Sequence, residues 1–319
     1  MEIISNCTQD EIERAAKALK DGHLVAFPTE TVYGLGADAT NEHAVSRIYS
    51  VKGRPTGHPL IVHISSINQL DKWAIDIPEY AKKLASKFWP GPMTLILKRS
   101  GLAKNFVTGG QEKVGLRVPS HPIALALLRE FEKLEGAGVA APSANKFSAV
   151  SPTTCSAVIE EIGECLENGD LVLDGLQSEI GIESTIIDCT NLRPVVLRPG
   201  YITNEQVEFA SELNIDFNAS NIKVSGILES HYSPKAKVVL DSIAMRGEGL
   251  MAMASIPTPA GVVRLASPAT VEDFARELYK ALRLGDEKKL DKIIVLQPTG
   301  IGLAIAIRDR LLKASHNRN

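Results

Sequence analysis

The sequence predicts an α/β protein: a mixed, twisted sheet carrying helices, followed by a smaller α/β unit of Rossmann-like character. Three observations carry this reading. Short apolar runs with β-propensity interleave with amphipathic helical stretches, but without a strict βαβ rhythm. Two of the runs, 184–189 and 194–198, are separated only by the link "TNLR", which suits a hairpin rather than a helical crossover. Beyond the helix "NEQVEFASEL", which begins near residue 205, comes the polar stretch "NIDFNASNIKVSGILESHYSPKAK", after which strands and helices resume.

The elements follow in order. Thr8 with Glu11 reads as a capping box opening the helix "TQDEIERAAKALKDG", which stops near Gly22. "HLVAF" (23–27) is a short strand, Asn41 to Val51 has helical spacing, and "LIVHI" (60–64) is again a strand. "PEYAKKLASKFW" (78–89) is an amphipathic helix; "MTLILK" (93–98) and "VGLRVP" (114–119) are strands; "HPIALALLREF" (121–131) is a helix. "GVAAPS" (138–143), "LVLD" (171–174), "STIIDC" (184–189) and "PVVLR" (194–198) read as strands, with a helix over 153–163 among them. In the last part "KVVLD", "AGVVRLA" and "KIIVLQ" are strands, while "TVEDFARELYKALRLGD" and "IGLAIAIRDRLLKAS" are helices. This divides the chain into 1–213, a connector over 214–236, and a small unit over 237–319.

Composition narrows the function. The chain has 319 residues, 44% hydrophobic content and a formal net charge of -3. Near-neutrality argues against a broad nucleic-acid footprint and leaves room for a local basic pocket. The four cysteines, Cys7, Cys155, Cys165 and Cys189, form no C-x-x-C pair and no zinc spacing. No apolar run reaches the ~18 residues of a membrane span, and the N-terminal stretch lacks a signal-peptide pattern. A cytoplasmic protein with reduced thiols is expected.

The polar residues gather where α/β sheets hold ligands. "FPTETVYGLGADA" (27–39) brings Thr29, Glu30 and Thr31 off a strand end beside Gly34 and Gly36. Alone it reads as an ordinary turn. "KGRPTGHPL" (52–60) places Lys52, Arg54 and His58 on a loop stiffened by Pro55 and Pro59, so its cations lose less entropy on meeting an anion. Its arginine fork suits phosphate or carboxylate; its lysine is a point charge. His63 lies in a strand, where a satisfied core histidine is the commoner case. Arg117 lies in the apolar "VGLRVP", where it meets either an internal carboxylate or an anionic ligand. "APSANKFSAVSPTT" (141–154) supplies Ser143, Asn145, Ser148 and Ser151, neutral donors suited to phosphate oxygens. "GIESTIID" adds Ser184, "LRPG" adds Arg198, and "HYSP" adds His231 and Tyr232. A P-loop is absent, and "GIGLAI" (300–305) lacks the third glycine of a dinucleotide fingerprint.

Taken in order, "PTETVYGLGADA", "KGRPTGHPLIVHI", "FWPGPMTLIL", "VGLRVPSHP", "APSANKFSAVSPTT", "GIESTIID", "VVLRPG" and "SHYSPKA" resemble the threonylcarbamoyl-AMP synthase family in its long form. "LYKALRLGDEKKLDKIIV" and "GLAIAIRDRLLKAS" are similar to that family's second domain. The resemblance implies a YrdC-like twisted open sheet with a concave basic cavity. It implies the reaction of L-threonine, bicarbonate and ATP to threonylcarbamoyl-AMP and pyrophosphate, feeding modification of the tRNA adenosine beside the anticodon. Lys52, Arg54, Ser143 and Asn145 match the family's catalytic signature. ATP contacts are implied for Arg54, His58, Lys113, Ser143, Ser151, Arg198 and Tyr232, and L-threonine contacts for Thr31, His63, Arg117, the Ala141 backbone and Ser184.

Both reactants are anionic, so cations must offset their repulsion; Lys52 and Arg54 are assigned to the phosphate and bicarbonate charge as a clamp, with Ser143 and Asn145 donating hydrogen bonds there. The intermediates are labile in water, so a closing element is expected; the 214–236 connector, with Tyr232, is assigned that lid role. Magnesium is expected on the triphosphate, held by ATP and water rather than by protein ligands. Downstream proteins that transfer the threonylcarbamoyl group to tRNA are the implied partners, with direct tRNA contact left open. Two departures stand out: lysine at 113, where a small hydroxyl residue is expected, and a C-terminal part shorter than the family's usual length. The competing reading is a non-catalytic RNA-binding accessory module using the same basic cavity. It is disfavoured by the net acidity and the lack of a basic stripe interleaved with aromatics.

Overall fold

The computed structural model describes residues 1–216, 222, 224 and 232–316. Its strands are β1 (Glu2–Ile4), β2 (Val25–Phe27), β3 (Gly34–Asp38), β4 (Ile61–His63), β5 (Met93–Lys98), β6 (Lys113–Arg117), β7 (Val139–Ala140), β8 (Leu171–Leu173), β9 (Thr185–Asp188) and β10 (Val195–Arg198) in the first sheet. The second sheet holds β11 (Lys237–Leu240), β12 (Gly249–Met251), β13 (Val263–Ala266) and β14 (Lys292–Val295). The helices are α1 (Gln9–Lys20), α2 (Glu42–Lys52), α3 (Leu70–Trp73), α4 (Glu79–Phe88), α5 (Asn105–Thr108), α6 (Pro122–Lys133), α7 (Cys155–Ile162), α8 (Asn204–Ser211), α9 (Val271–Glu287) and α10 (Leu303–Ser315).

The first sheet runs β1-β8-β2-β3-β7-β4-β6-β5-β9-β10 and is mixed, as expected. β4 pairs parallel with β6, and β5 with β9, while β2/β3, β3/β7, β4/β7, β5/β6 and β9/β10 are antiparallel. The "TNLR" link does close the β9/β10 hairpin. The second sheet, β11-β14-β12-β13, is wholly parallel, with α9 and α10 packed on it. The two helices touch each other and share one core with Val238, Met251, Ile293 and Val295, so both cover the same face of the sheet, while the opposite face, with Leu250 and Ile294, packs on Ala244, Ile256 and Val262 of the loops. α9 buries Phe274, Ala275, Leu278, Tyr279 and Leu282, the three-four spacing of one helix face.

Three strands escaped the sequence reading. β1 and β12 have only three residues each. β3 is "GLGAD", whose glycines read as a turn. A Cβ at Gly36 would stand 2.8 Å from both Phe27 and Val139 side chains, so glycine there serves close packing between strands, not a bend. The proposed capping box at Thr8 is half made: the hydroxyl accepts from the Glu11 N–H, but the Glu11 carboxylate takes Arg14 instead. The reciprocal box occurs at Thr203 and Gln206, opening α8.

One helix end matters for the site. α2 stops where Gly53 adopts the left-handed conformation (φ 61°) and caps the carbonyls of Ser50 and Tyr49. The chain then reverses, so that Lys52 belongs to the helix and Arg54 to the loop beyond it.

Candidate active site

A cleft opens where several strands of the first sheet end, a usual place for small-molecule sites. The turn after β2 contributes Thr29 and Thr31, β4 His63, β6 Arg117, the turn after β7 Ala141 and Ser143, the entry to β9 Glu183 and Ser184, and the end of β10 Arg198. Arg54 and Tyr232 complete the wall.

His63 and Arg117 are register partners on the parallel strands β4 and β6, so one pairing sets them side by side. Arg117 is buried; its Nη2 lies 2.8 Å from Glu30 Oε1 and donates to Thr31 Oγ1 at 3.0 Å, while its Nε donates to the Gly91 carbonyl. Glu30 Oε2 in turn accepts from the Ser120 N–H. The strand arginine therefore has an internal carboxylate and faces the cleft as well. Burial, with the Arg117 charge beside it, pushes the His63 imidazole down to about 3, so the ring is neutral. Its Nδ1 is buried with no hydrogen-bond partner among the described residues.

Arg54 is held by the carbonyls of His58 and Pro59 and lies over the Phe147 ring, 5.6 Å from its centroid. Burial lowers its guanidinium to about 10, still charged at neutral pH. Arg198 donates from Nε and Nη2 to the Ser184 carbonyl and from Nη2 to Ser184 Oγ. The Ser184 hydroxyl also shares a hydrogen bond with Thr94 at 2.8 Å. Three buried arginines thus converge on one cleft in a chain of net negative charge. Such a focus of positive potential suits an anionic ligand.

The family models and relatives agree with this geometry. Residues 17–200 match the Sua5/YciO/YrdC family model described as "Telomere recombination", and residues 191–316 match "Threonylcarbamoyl-AMP synthase, C-terminal domain". The chain is 40% identical to the threonylcarbamoyl-AMP synthase of Pyrococcus abyssi, over 97% of this chain and 95% of that one. It is 39% identical to the Bacillus subtilis enzyme of the same name, over 97% and 94%. The chain belongs to the threonylcarbamoyl-AMP synthase family. The crystal structure of P. abyssi Sua5 complexed with L-threonine superposes with a TM-score of 0.87 at 38% identity, covering 99% of this chain and 97% of that one.

Against the residues the family resemblance implies, the structure sorts into two groups. Thr31, Arg54, His63, Arg117, Ala141, Ser143, Ser184, Arg198 and Tyr232 all line the cleft. Five others are engaged elsewhere. Lys52 is buried, and its ammonium donates to the carbonyls of Ser143 and Asn145, both at 2.5 Å. Burial, then the Arg54 charge, pushes its amine well below the usual lysine range. Asn145 donates from Nδ2 to the carbonyls of Lys146 and Ala149, shaping its own turn. Ser151 is fully buried and gives its proton to Glu183 at 2.7 Å, so it cannot donate to a phosphate oxygen while that bond stands. His58 meets Phe147 edge-on. Lys113 lies 3.6 Å from Asp188 in an ion pair on the β6 end away from Arg117.

Glu30, Glu183, Tyr279 and Arg310 were missed as site residues. Glu30 had a signal, since it leaves the strand end between two threonines. Glu183 sits beside Ser184 in "GIESTIID" but has no local pattern to mark it. Tyr279 and Arg310 read as ordinary helix positions. Of the connector, residues 217–221, 223 and 225–231, His231 included, lie outside the described residues, so the lid assignment rests there on Tyr232 and its neighbours.

Proposed function

We propose that this chain is a nucleotidyltransferase that converts L-threonine, bicarbonate and ATP into threonylcarbamoyl-AMP and pyrophosphate. The observation that carries the reading is the cleft walled by three buried arginines, in a chain whose near-full-length structural neighbour was crystallised with L-threonine. That neighbour also favours catalysis over a non-catalytic RNA-binding module.

In this reading the threonine carboxylate meets Arg117, displacing Glu30 from part of the guanidinium, with Thr31 and Ser184 beside it. The threonine amine adds to bicarbonate with loss of water, and a carbamate oxygen attacks the α-phosphorus as pyrophosphate leaves. Arg54 and Arg198 offset the negative charge that gathers on the phosphates, and Ser143 contributes at the turn that Lys52 ties down. Neutral His63, with Nδ1 available, accepts from or donates to threonine without adding another charge.

Among the described residues no group of three His, Cys, Asp or Glu side chains is arranged to hold a metal ion. Magnesium would sit on the triphosphate with water as its other ligands. Among the described residues no helix is long and apolar enough to cross a membrane. Residues 1–213 would form the catalytic unit, 214–236 the connector and 237–319 the C-terminal unit. The packing of α8 on α4 and the start of the second sheet at Lys237 support that division. The product would pass to proteins that modify tRNA.

The deciding experiment incubates the purified chain with ATP and bicarbonate, with and without L-threonine, and measures pyrophosphate. Release that depends on threonine is expected. Release indifferent to threonine, or none alongside tight RNA binding, would overturn the reading.

A further inference from the structure

Glu183 joins the cleft to the C-terminal unit. Its Oε1 accepts from the Ser151 hydroxyl at 2.7 Å. Its Oε2 accepts from the Tyr279 hydroxyl on α9 at 2.8 Å and from Arg310 Nε on α10 at 2.9 Å. Arg310 is fully buried, and its Nη1 donates at 2.8 Å to the carbonyl of Pro199, the residue after Arg198. Arg283, also on α9, donates to the carbonyl of Val150, the residue before Ser151. The Tyr232 ring, part of the cleft wall, stacks on Tyr279 with centroids 5.6 Å apart and receives the Arg310 guanidinium over its face at 5.6 Å.

A buried ion pair contributes little net stability compared with a well-packed apolar contact; its established use is to specify one arrangement. Here the arrangement specified is that of Ser151, Arg198 and Tyr232. Arg198 and Tyr232 line the cleft and are two of the seven residues that the family resemblance assigns to ATP; Ser151 is a third, with its one hydroxyl proton held by Glu183. Arg117, which takes the threonine carboxylate in this reading, has a separate support in Glu30, Thr31 and Gly91, all from the first unit, while Ser184 is held by Arg198 and adjoins Glu183.

We infer that Tyr279 and Arg310 are positioning residues of the C-terminal unit, holding Glu183 and through it the nucleotide half of the cleft. The inference rests on the synthase reading above. It makes the second unit a part of the ATP site's frame, although neither residue touches the reacting atoms.

Tyr279→Phe in the full chain is the sharpest test, because it removes one hydroxyl and leaves the ring stacked on Tyr232. The KM for ATP is measured by threonine-dependent pyrophosphate release, and the threonine Kd by calorimetry. We expect the KM for ATP to rise about tenfold, near the lower end of the effect of losing one hydrogen bond to a charged group because the lost bond acts on the nucleotide only through Glu183, with the threonine Kd within about twofold of wild type. Arg310→Lys, which keeps the charge, is expected to raise the KM for ATP less than Arg310→Met. A lower melting temperature with unchanged KM would mean the contact serves stability alone, and a parallel rise in both constants would mean a general loosening; either overturns the inference. Wild-type protein that binds threonine but releases no pyrophosphate would sink the synthase reading, and the inference with it.

Discussion

Replacing Lys52 with methionine separates two roles for the first cation of "KGRPTGHPL". As a substrate clamp, Lys52 would be needed for activity and dispensable for folding. The structure instead shows its ammonium donating to the carbonyls of Ser143 and Asn145 at 2.5 Å, tying the end of α2 to the turn after β7. The Phe147 N–H returns to the Lys52 carbonyl at 2.8 Å, closing the tie from the other side. Hydrogen bonds from a charged donor contribute about 1.5–3 kcal/mol each, and relief of the buried charge offsets part of that loss. Lys52→Met should therefore destabilise the fold by about 3 kcal/mol, the two carbonyls being left without their donor. Urea unfolding followed by far-UV circular dichroism measures this by linear extrapolation. Pyrophosphate release should fall as well, because Ser143 lines the cleft and loses its anchor. A variant within about 1 kcal/mol of wild-type stability that had nonetheless lost activity would refute the tie and restore the substrate clamp.

Further outcomes follow from the same geometry. Arg117→Met should weaken threonine binding about 30- to 100-fold by calorimetry, the scale of a lost charge-assisted pair; a change below about threefold would remove Arg117 from the carboxylate site. His63 has a folded-state value near 3 against 6.5 in the free side chain, so the stability from keeping it neutral is complete above pH 6.5 and drains away as pH falls toward 3. Between pH 6.5 and 5, wild-type stability should decline more steeply than that of His63→Leu, by at most about 1.4 kcal/mol per pH unit; equal slopes would show that the imidazole charges freely in the fold. Lys113→Ala should leave the KM for ATP within about twofold, because the half-buried lysine lies 3.6 Å from the buried Asp188, on the β6 end away from Arg117; a larger rise would place its ammonium on the nucleotide.

Much of the fold was legible because its signals are local. The β5 run "MTLILK" and the α9 face carry their own periodicities, and "TNLR" is too short for anything but a tight reversal. β3 was not legible, since its glycines answer to Phe27 and Val139, which lie on other strands. In the site, Arg54, His63, Arg117 and Arg198 could be named from motifs, because cations within apolar or proline-stiffened stretches are conspicuous in one dimension.

The sequence by itself determined which polar groups the chain has to place, the periods that make its strands and helices, and the family it resembles. Only the tertiary structure decided what each polar group meets. Lys52 and Arg54 are two residues apart, yet the left-handed Gly53 sends one to main-chain carbonyls and the other to the cleft. Ser151, Glu183 and Arg310 are far apart in the chain and share one carboxylate in the fold. Hydrogen bonds and ion pairs depend on distances of about 3 Å, and sequence spacing sets such distances only within one helix turn or one strand; between elements, packing sets them.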